Sequence, residues 1–489
     1  MKLPTRYRAR HSQSGILTAS TVRPGRPRVR LATVLAAAAL VLVALVSLVA
    51  TGTIDLVGTG SPGPVANPAD GASDPGRSSA AEPIPHRLKI TTHPPRARLR
   101  IKSDGELIEN GKTPFRGMIP GGDVTLVLVR AGFNRLTERV ELDRDRSLEL
   151  WLDPKGLLHH QIATFATEGA PKQVAFTPDG EQIWVTLLGG AGVQVFDSMT
   201  GRLLDTIDLG RFGGVEVIFS GDGSTAYVSQ METASVLEID VRTHDVLRRL
   251  RTDSAWSKVM ALAPDEWTLY VANWSGDNVT EIGLRRGKVR RQIPTVDTPR
   301  GLYVTPDGGR LFVAGYADGE IQRVDLETGR SRVLLRTGGA MRHLVADDAQ
   351  GMLYADDMAT DEVYTVDLET ERVSKLADTD HMPNTIDLTP DGKVLYVSNR
   401  GANNPESYYL PGPEWGSVLA IDTATGKVLD AIVGGDQTTG LDVSPDGRML
   451  AYSDFLDNHV SVFAIPSYDV LAEGDGGRWK AHLEEIEKS

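Results

Sequence analysis

The feature that most constrains the fold of this chain is a pattern that is written twice between Met260 and Arg330. The first copy reads APDEWTLYVANWSGDNVTEIGLRRGKV and the second reads TPDGGRLFVAGYADGEIQRVDLETGR. In each copy an apolar strand ends in a Pro-Asp turn, a second apolar strand follows at once, and a third alternating strand runs into a charged turn. With a fourth strand before the next copy, the pattern predicts four antiparallel strands about every 42 residues, which is typical of a β-propeller blade.

Counting the positions equivalent to this Pro-Asp turn along the chain gives the number of blades. Successive turns are 43, 43, 42, 42, 42 and 55 residues apart. A second turn later in each copy gives the same count, with the long interval again in sixth place. The sequence therefore predicts an all-β fold with a seven-bladed β-propeller over residues 157–475. The turn positions are Asp179, Asp222, Asp265, Asp307, Ala349, Asp391 and Asp446.

Two of the predicted strands carry residues that resemble a known family. The segments Leu269–Asn273 and Leu395–Asn399 read LYVAN and LYVSN. They are similar to the signature of YVTN-type repeats in YncE-like and lactonase-like propellers. The resemblance implies a propeller fold over about three hundred residues. It says little about function, because such propellers occur among lactonase-like enzymes, haem-carrying domains and bacterial surface proteins.

The first 50 residues predict a membrane anchor. Residues 1–30 carry eight Lys or Arg and no acidic residue, and residues 31–50 are twenty uncharged, mostly apolar positions. Such a run is long enough to cross a bilayer as one transmembrane helix, and its basic flank is expected to stay in the cytoplasm. A cleaved signal peptide is the alternative, but Leu48-Val49-Ala50 is a poor small-residue cleavage site. We expect a bacterial-type single-pass membrane protein with most of the chain extracytoplasmic.

A linker and a small β domain are predicted between this helix and the propeller. Residues 51–86 are rich in Pro, Gly, Ala and Ser, which predicts a flexible tether. Residues 87–156 alternate apolar and polar in five short runs, at 88–92, 97–101, 124–129, 136–142 and 148–152.

The segment 87–156 resembles a PEGA domain. The matching residues are Gly111–Pro114, Pro120–Gly122 and Gly132-Phe133. Where that family commonly has Pro-x-Gly-Ala, this chain reads Pro94-Pro95-Arg96-Ala97, so the first turn is expected to differ. The resemblance implies a β-sandwich-like extracytoplasmic spacer or surface-binding domain without catalytic residues.

Composition and motifs exclude several classes of function. The absence of Cys excludes disulfides, a lipoprotein anchor, covalent c-type haem and cysteine-ligated clusters. The net charge is −13 although the first 30 residues are basic, so the propeller is strongly acidic and nucleic acid is not expected as a partner. No Gly-x-Ser-x-Gly, phosphate-binding loop or His-Glu-x-x-His is present. His159 and His160 lack a third ligand at a recognisable spacing and are interpreted as an exposed pair, so neither a metal nor another cofactor is predicted.

Equivalent positions across the repeats predict a binding face. The innermost strand of each blade, strand A, and its neighbour, strand B, run in opposite directions, so the start of A and the end of B lie on one face. The starts of strand A form a ring around the mouth of the central channel, and four of the seven residues are basic. We expect either an anion-binding ring or ordinary exposed charge. The ring is Lys172, Val215, Lys258, Arg300, Arg342, Asn384 and Thr439.

The ends of strand B add two more sets of candidates on this face. Asn273 and Asn399 end their strands and, with Asn384, are expected to hydrogen-bond a ligand. The residues that come next are nearly all large and apolar, and they are expected either to wedge between blades or to stack on a ligand. They are Leu188, Met231, Trp274, Tyr316, Met358, Arg400 and Phe455.

Blade six alone carries an insertion, within Gly401–Trp415. The direction of its strands places this loop over the same face, bringing Tyr408 and Tyr409 to the site, unless the loop only caps the blade and its aromatic residues pack locally. His343 follows Arg342 and is the best candidate for a general base, with a hydrogen-bonding histidine in the channel wall as the alternative.

The two ends of the propeller segment carry structural predictions. Residues 161–166 are expected to pair with 460–465 and close the ring, with 469–472 as the competing outer strand. Residues 476–489 predict a tail helix that docks through Trp479, Leu483 and Ile486.

Three functions of different classes follow from these observations. The first is a membrane-tethered binding or scaffold module for a small anionic ligand, an envelope polymer or an envelope protein. The second is a lactonase-like hydrolase that uses the same face, although no carboxylate stands out by its spacing as catalytic. The third is a structural protein of the surface-layer type.

Overall fold

The structure is a computed structural model that describes residues 84–488 apart from 94, 153–157, 191 and 475–476. The predicted basic segment and transmembrane helix, and most of the predicted linker, lie outside the described residues. Among the residues that the structure describes, no helix has the length and apolarity needed to cross a membrane.

Residues 84–152 form a small β domain with two sheets. Its strands are β1 (Pro85–His93), β2 (Arg98–Ser103), β3 (Glu106–Lys112), β4 (Phe115–Pro120), β5 (Gly122–Val129), β6 (Leu136–Leu142) and β7 (Arg146–Trp151). One sheet has the order β4-β1-β7 and the other has the order β3-β2-β5-β6. Their facing side chains, among them Ile90, Leu99 and Leu126, are fully buried in one core. This arrangement agrees with the predicted β-sandwich-like domain, while its assignment as a PEGA domain stays a prediction.

Two features of this domain differ from the expectation. Strands β3 and β4 were not among the predicted runs, and β3 is exposed along almost its whole length, so it carries no apolar alternation. The opening turn keeps a left-handed backbone, with φ of 68° at Arg96, although an L side chain stands there instead of glycine.

Within residues 158–488, as far as the structure describes them, seven four-stranded antiparallel sheets form the blades of the propeller. Blade one consists of β9 (Pro171–Phe176), β10 (Gln182–Leu187), β11 (Gly192–Asp197) and β12 (Leu203–Asp208), and blade two of β13 (Val217–Phe219), β14 (Thr225–Gln230), β15 (Ser235–Asp240) and β16 (Val246–Arg251). Blade three consists of β17 (Ser257–Leu262), β18 (Thr268–Asn273), β19 (Asn278–Gly283) and β20 (Lys288–Pro294), and blade four of β21 (Pro299–Val304), β22 (Arg310–Gly315), β23 (Glu320–Asp325) and β24 (Ser331–Arg336).

The last three blades follow the same order of strands. Blade five consists of β25 (Met341–Asp347), β26 (Met352–Asp357), β27 (Glu362–Asp367) and β28 (Val373–Asp378), and blade six of β29 (Pro383–Leu388), β30 (Val394–Asn399), β31 (Ser417–Asp422) and β32 (Val428–Val433). Blade seven consists of β33 (Thr438–Val443), β34 (Met449–Asp454) and β35 (His459–Ala464), with β8 (His160–Ala166) as its outer strand.

The turn between strands A and B shows why its residues recur in the sequence. In blade one the Thr177 hydroxyl donates to the Asp179 carboxylate at 2.6 Å, and this carboxylate accepts the backbone N–H of Glu181 at 3.0 Å. The same hydroxyl-to-carboxylate bond joins Ser444 to Asp446 in blade seven at 2.6 Å. The turn therefore satisfies its own polar groups and depends on local sequence.

The ring closes as predicted, because β8 pairs antiparallel with β35. The competing segment at 469–472 is helical instead, within α1 (Tyr468–Ala472). The predicted tail helix is α2 (Gly477–Ile486), but its docked side differs from the expectation. Ile486 is buried as predicted, whereas Leu483 is 42% exposed and His482 is fully buried.

Candidate functional site

The predicted rings meet at one cavity of about 520 Å³ on one face of the propeller. All seven residues that follow strand B line it, and so do six of the seven starts of strand A. The insertion of blade six contributes Asn403, Tyr408 and Tyr409, as its strand direction predicted. The remaining wall residues are Glu232, Trp256 and Met382. We refer to this site as the mouth cavity.

Arg342 is a deeply placed cation of the mouth cavity. Its side chain is buried and donates from Nε to the backbone oxygen of Asn384 and from Nη2 to the side-chain oxygen of Asn384, both at 2.8 Å. Burial, together with the neighbouring charge on Arg300, lowers the pKa of Arg342 to about 9. The guanidinium is thus charged at neutral pH and is held in place by neutral groups.

Arg300 is the cation of the ring that has a carboxylate partner. Its Nη1 lies 2.9 Å from Oε1 of Glu216, and both side chains are buried. Glu216 follows Val215 at the start of strand A in blade two, so the pair joins blades two and four across the channel. A buried ion pair of this kind adds little net stability, because the cost of removing both charges from water offsets their attraction.

Lys172 and Lys258 face the cavity with lowered pKa values. Burial, and then the charges on Arg300 and Arg342, lower the pKa of Lys258 to about 6. The same causes lower the pKa of Lys172 well below its usual range. The Nζ of Lys258 lies 3.7 Å from the centre of the Trp274 ring, a distance at which the ring face attracts an ammonium.

Aromatic side chains form the outer wall of the mouth cavity. Trp274 and Tyr316 pack with ring centres 4.7 Å apart, and Tyr408 and Tyr409 with ring centres 3.9 Å apart. Trp256 is 47% exposed and takes a left-handed backbone conformation with φ of 61°. The stacking alternative for the residues after strand B is therefore compatible with their position, since their side chains reach the cavity.

Arg400 connects the ring to the inserted loop. Its guanidinium donates to the side-chain oxygen of Gln437 and lies 5.8 Å from the centre of the Tyr408 ring. Gln437 in turn donates to the backbone oxygen of Tyr408. Burial lowers the pKa of Arg400. The loop is thereby fixed over the cavity by a chain of hydrogen bonds.

The charge balance of this wall is positive in an acidic protein. Five basic side chains line the described wall of the cavity, against one lining carboxylate, that of Glu232, and the Glu216 carboxylate beside Arg300. They are the guanidinium groups of Arg300, Arg342 and Arg400 and the amines of Lys172 and Lys258, whose lowered pKa values leave them less protonated than exposed lysines. Cations held this close repel one another, and a bound anion would relieve that repulsion.

The structure places the three predicted asparagines away from the cavity wall. Asn273 and Asn399 are fully buried inside their blades, where Asn273 donates to Asn278 and Thr280 at 2.8 Å. Successive side chains of a strand point to opposite sides, so the residue after the strand reaches the cavity and the last residue does not. Asn384 instead positions Arg342. The expectation that these amides contact a ligand directly is not supported by their placement.

His343 also lies outside the wall of the mouth cavity. Its Nδ1 is 3.1 Å from the backbone oxygen of Ile386, and its backbone N–H donates to Asp356 at 2.7 Å. Burial, with the charges on Arg300 and Arg342, lowers the pKa of His343 to about 4. This placement matches the channel-wall alternative and argues against a general base at the cavity. Among the described residues, no group of His, Asp and Glu side chains could hold a metal ion.

The interpretation of His159 and His160 as an exposed pair is wrong for His159. Its Nδ1 lies 2.6 Å from Oδ2 of Asp430 and its Nε2 lies 2.8 Å from the Tyr396 hydroxyl, with all three side chains buried. His159 thus anchors the segment before β8 to blade six.

Trp256 and Glu216 are wall or near-wall residues that the repeat positions did not single out. Trp256 stands two residues before the start of strand A, and the equivalent residues Met382 and Gln437 have the same left-handed backbone. That shared conformation turns the side chain of Trp256 or Met382 toward the mouth. The seven repeats share no residue type at this offset, so the sequence carries no signal for the position.

Comparisons with known proteins agree with the fold. The model of the YncE-like β-propeller family matches residues 216–438. Antigen Lp49 of Leptospira interrogans is 50% identical over 93 residues, which are 19% of this chain and 20% of that protein. The match therefore spans about a fifth of the relative. A chain of Kuenenia stuttgartiensis hydrazine synthase aligns with a TM-score of 0.54 and 19% identity, covering 62% of this chain and 97% of that one. That likeness shows the fold alone.

Proposed function

We propose that this protein is a binding module that recognises a small anionic ligand in the mouth cavity of its propeller. The observation that carries the proposal is the convergence of five basic side chains, three of them arginines, on one cavity of about 520 Å³. Only one of the ring cations, Arg300, has a carboxylate within 3 Å among the described residues. A volume of this size suits a small molecule better than a polymer.

We also propose that the module is tethered to a bacterial-type cell membrane by a helix over residues 31–50, with the propeller outside the cytoplasm. The basic flank of the apolar run and the Pro-rich tether support this. The name of the relative Lp49 as an antigen is compatible with such a location. An envelope protein or polymer remains a second kind of partner that the same face would serve.

Binding is tested by calorimetric titration of the full chain with inorganic phosphate and with citrate at low ionic strength. We expect saturable binding that weakens as salt is added. Arg342→Gln should weaken it roughly tenfold or more, because a buried charge makes strong hydrogen bonds to an anion. Arg330→Gln is the matched control, since Arg330 is exposed at the turn between β23 and β24 and does not line the cavity.

Two outcomes contradict the proposal. One is the absence of binding by any anion when the protein shows a cooperative thermal transition. The other is binding that Arg330→Gln weakens as much as Arg342→Gln does, which would indicate diffuse surface attraction.

A further inference from the structure

The mouth cavity is divided into a cationic floor and an aromatic rim. Arg300 and Arg342 are only 5% and 6% exposed, whereas Trp256, Tyr408 and Tyr409 are 47%, 43% and 56% exposed. Exposed large aromatic side chains that cluster at one concave site usually mark a binding surface. A ligand that enters this cavity therefore passes aromatic faces before it reaches the guanidinium groups.

The aromatic residues stand on two opposed arcs of the ring. Trp256 and Trp274 belong to blade three and Tyr316 to blade four. Tyr408 and Tyr409 come from the insertion of blade six, and the Tyr409 ring lies 6.4 Å from the ring of Phe455 in blade seven. In a ring of seven blades these arcs face each other, so a flat group between them contacts aromatic surface on both sides.

The rest of the rim offers few uncharged hydrogen-bonding groups. Besides the charged and aromatic residues, the wall consists of apolar side chains and only two uncharged polar ones, Asn403 and Thr439. A bare inorganic anion would leave the aromatic rim uncovered, and the puckered ring of a sugar acid would cover it less completely than a flat aromatic ring does. Methionine side chains adapt their shape and pack well against aromatic rings. The apolar side chains are Leu188, Val215, Met231, Met358 and Met382.

We propose that the ligand of the mouth cavity is a flat aromatic acid that binds with its acidic group toward Arg300 and Arg342 and its ring system between the two aromatic arcs. The inference rests on the proposed function and adds the chemical class of the ligand. The acidic group replaces the mutual repulsion of the floor cations by attraction. The ring system covers Trp256 and Tyr409, which solvent otherwise reaches.

The test compares four probes by calorimetric titration of the full chain: 2-naphthoate, 2-naphthalenemethanol, acetate and galacturonate. We expect 2-naphthoate to bind at least tenfold more tightly than each of the other three. The naphthalene alcohol lacks the charge, acetate lacks the rings, and galacturonate carries the charge on a hydroxylated ring that is not aromatic.

Substitutions in the aromatic rim test whether it causes the preference for 2-naphthoate. Replacing Trp256 and Tyr409 together by Ser should weaken 2-naphthoate binding roughly tenfold and leave acetate binding unchanged. Trp267→Ser is the matched control, because Trp267 is 49% exposed but stacks under Arg285 at 4.2 Å at the A–B turn of blade three, away from the cavity.

The outcomes separate this inference from the proposed function. If acetate, phosphate or galacturonate binds as tightly as 2-naphthoate, and Arg342→Gln weakens that binding, anion recognition stands and the aromatic class is overturned. If 2-naphthoate and its alcohol bind equally well, the charged floor plays no part and both proposals are overturned. If none of the anions binds, both are again overturned.

Discussion

At the scale of single residues, the charge on Lys258 links ligand binding to pH. Burial and the guanidinium groups of Arg300 and Arg342 lower the pKa of Lys258 to about 6, so the free protein holds this amine mostly unprotonated at pH 7 to 8. An anion placed beside the amine favours the ammonium form and raises the pKa. Binding in this pH range is therefore expected to be coupled to proton uptake by Lys258.

We predict that the affinity for an anion rises as the pH falls from 8 toward 6. One proton taken up per ligand corresponds to a change of up to about tenfold in affinity per pH unit. The gain levels off below pH 6, because Lys258 is then protonated before the ligand arrives. Titrations in buffers of different ionisation enthalpy measure the number of protons directly.

Lys258→Met should flatten this dependence and remove roughly one proton from the uptake. Lys393→Met is its control, because Lys393 is an exposed lysine paired with Asp391 at 3.5 Å on the opposite face. An unchanged pH profile in Lys258→Met would contradict the assignment.

His159 is a second residue whose role can be tested alone. It is the partner of the buried Asp430 carboxylate through Oδ2, while Oδ1 of Asp430 has no hydrogen bond among the described residues. We expect His159→Ala to lower the free energy of unfolding by roughly 2–4 kcal/mol, because the carboxylate is left buried without a donor. His160→Ala is the matched control, since its Nδ1 makes no hydrogen bond within the described part of the chain. Urea unfolding of both variants measures the two changes in the free energy of unfolding. Equal losses of free energy would contradict the prediction.

The residues of the site were only partly predictable. Counting back from the turn between strands A and B placed Lys172 and Arg342 at the mouth, because the blades repeat nearly the same spacing between the start of strand A and this turn. The asparagines were misplaced, because the last residue of strand B points into the blade and only its successor reaches the mouth. Trp256 was missed because its orientation depends on a left-handed backbone that no single copy of the repeat reveals.

At the scale of elements, α2 is held to the propeller by polar contacts as well as apolar ones. Nε2 of His482 lies 2.8 Å from Oδ2 of Asp380, which also accepts the Ser417 hydroxyl at 2.5 Å. After the helix, Lys488 lies 4.0 Å from the centre of the Trp415 ring and bonds the Asp436 carboxylate. The helix is therefore joined to the base of the inserted loop.

We predict that His482→Ala lowers the free energy of unfolding by roughly 1–3 kcal/mol, because the buried Asp380 loses a donor. Leu483→Ala, at the exposed neighbouring position, should change it by less than about 0.5 kcal/mol. Thermal unfolding measures both. Equal effects would mean that the apolar side that the sequence indicated, and not the histidine, holds the helix.

Elements were predictable where their signals are local. The blades follow from turns that satisfy their own polar groups, as Thr177 and Asp179 do. Strand β3 shows no apolar alternation because nearly all of it is exposed, and the docked side of α2 depends on Asp380, about a hundred residues earlier in the chain. A contact with a residue so distant in the chain produces no periodic pattern in the sequence of the helix.

At the scale of the whole molecule, the two faces of the propeller have different neighbours. The β domain contacts the face of the A–B turns, where Glu138 lies 4.0 Å from Arg448 and a groove of about 460 Å³ is lined by both domains. The mouth cavity opens on the other face, where the strands A begin. The β domain therefore leaves the candidate site accessible.

The ring itself is closed by strand pairing and not by a covalent bond. β8 precedes blade one in the chain but forms the outer strand of blade seven, where Ala163 pairs with Val462. The equivalent residue of blade one is Asp205 in the outer strand β12, which pairs with Val195 of β11. Proline at either position removes a backbone donor and disturbs one outer strand. Only at Ala163 does the disturbance also release the contact that joins the two ends of the ring.

We therefore predict that Ala163→Pro lowers the free energy of unfolding by roughly 2 kcal/mol more than Asp205→Pro, since releasing β8 adds the entropy of a loop of some three hundred residues. The control variant also loses a second interaction, because Asp205→Pro removes the hydrogen bond between Oδ2 of Asp205 and Nδ1 of His244, which lie 2.9 Å apart. The measured difference between the two variants therefore underestimates the contribution of ring closure. Urea unfolding of the full chain gives both values, and hydrogen exchange should show faster exchange of the β35 amides in Ala163→Pro alone. Equal losses in the two variants would mean that packing of the inner strands, and not β8, holds the ring together.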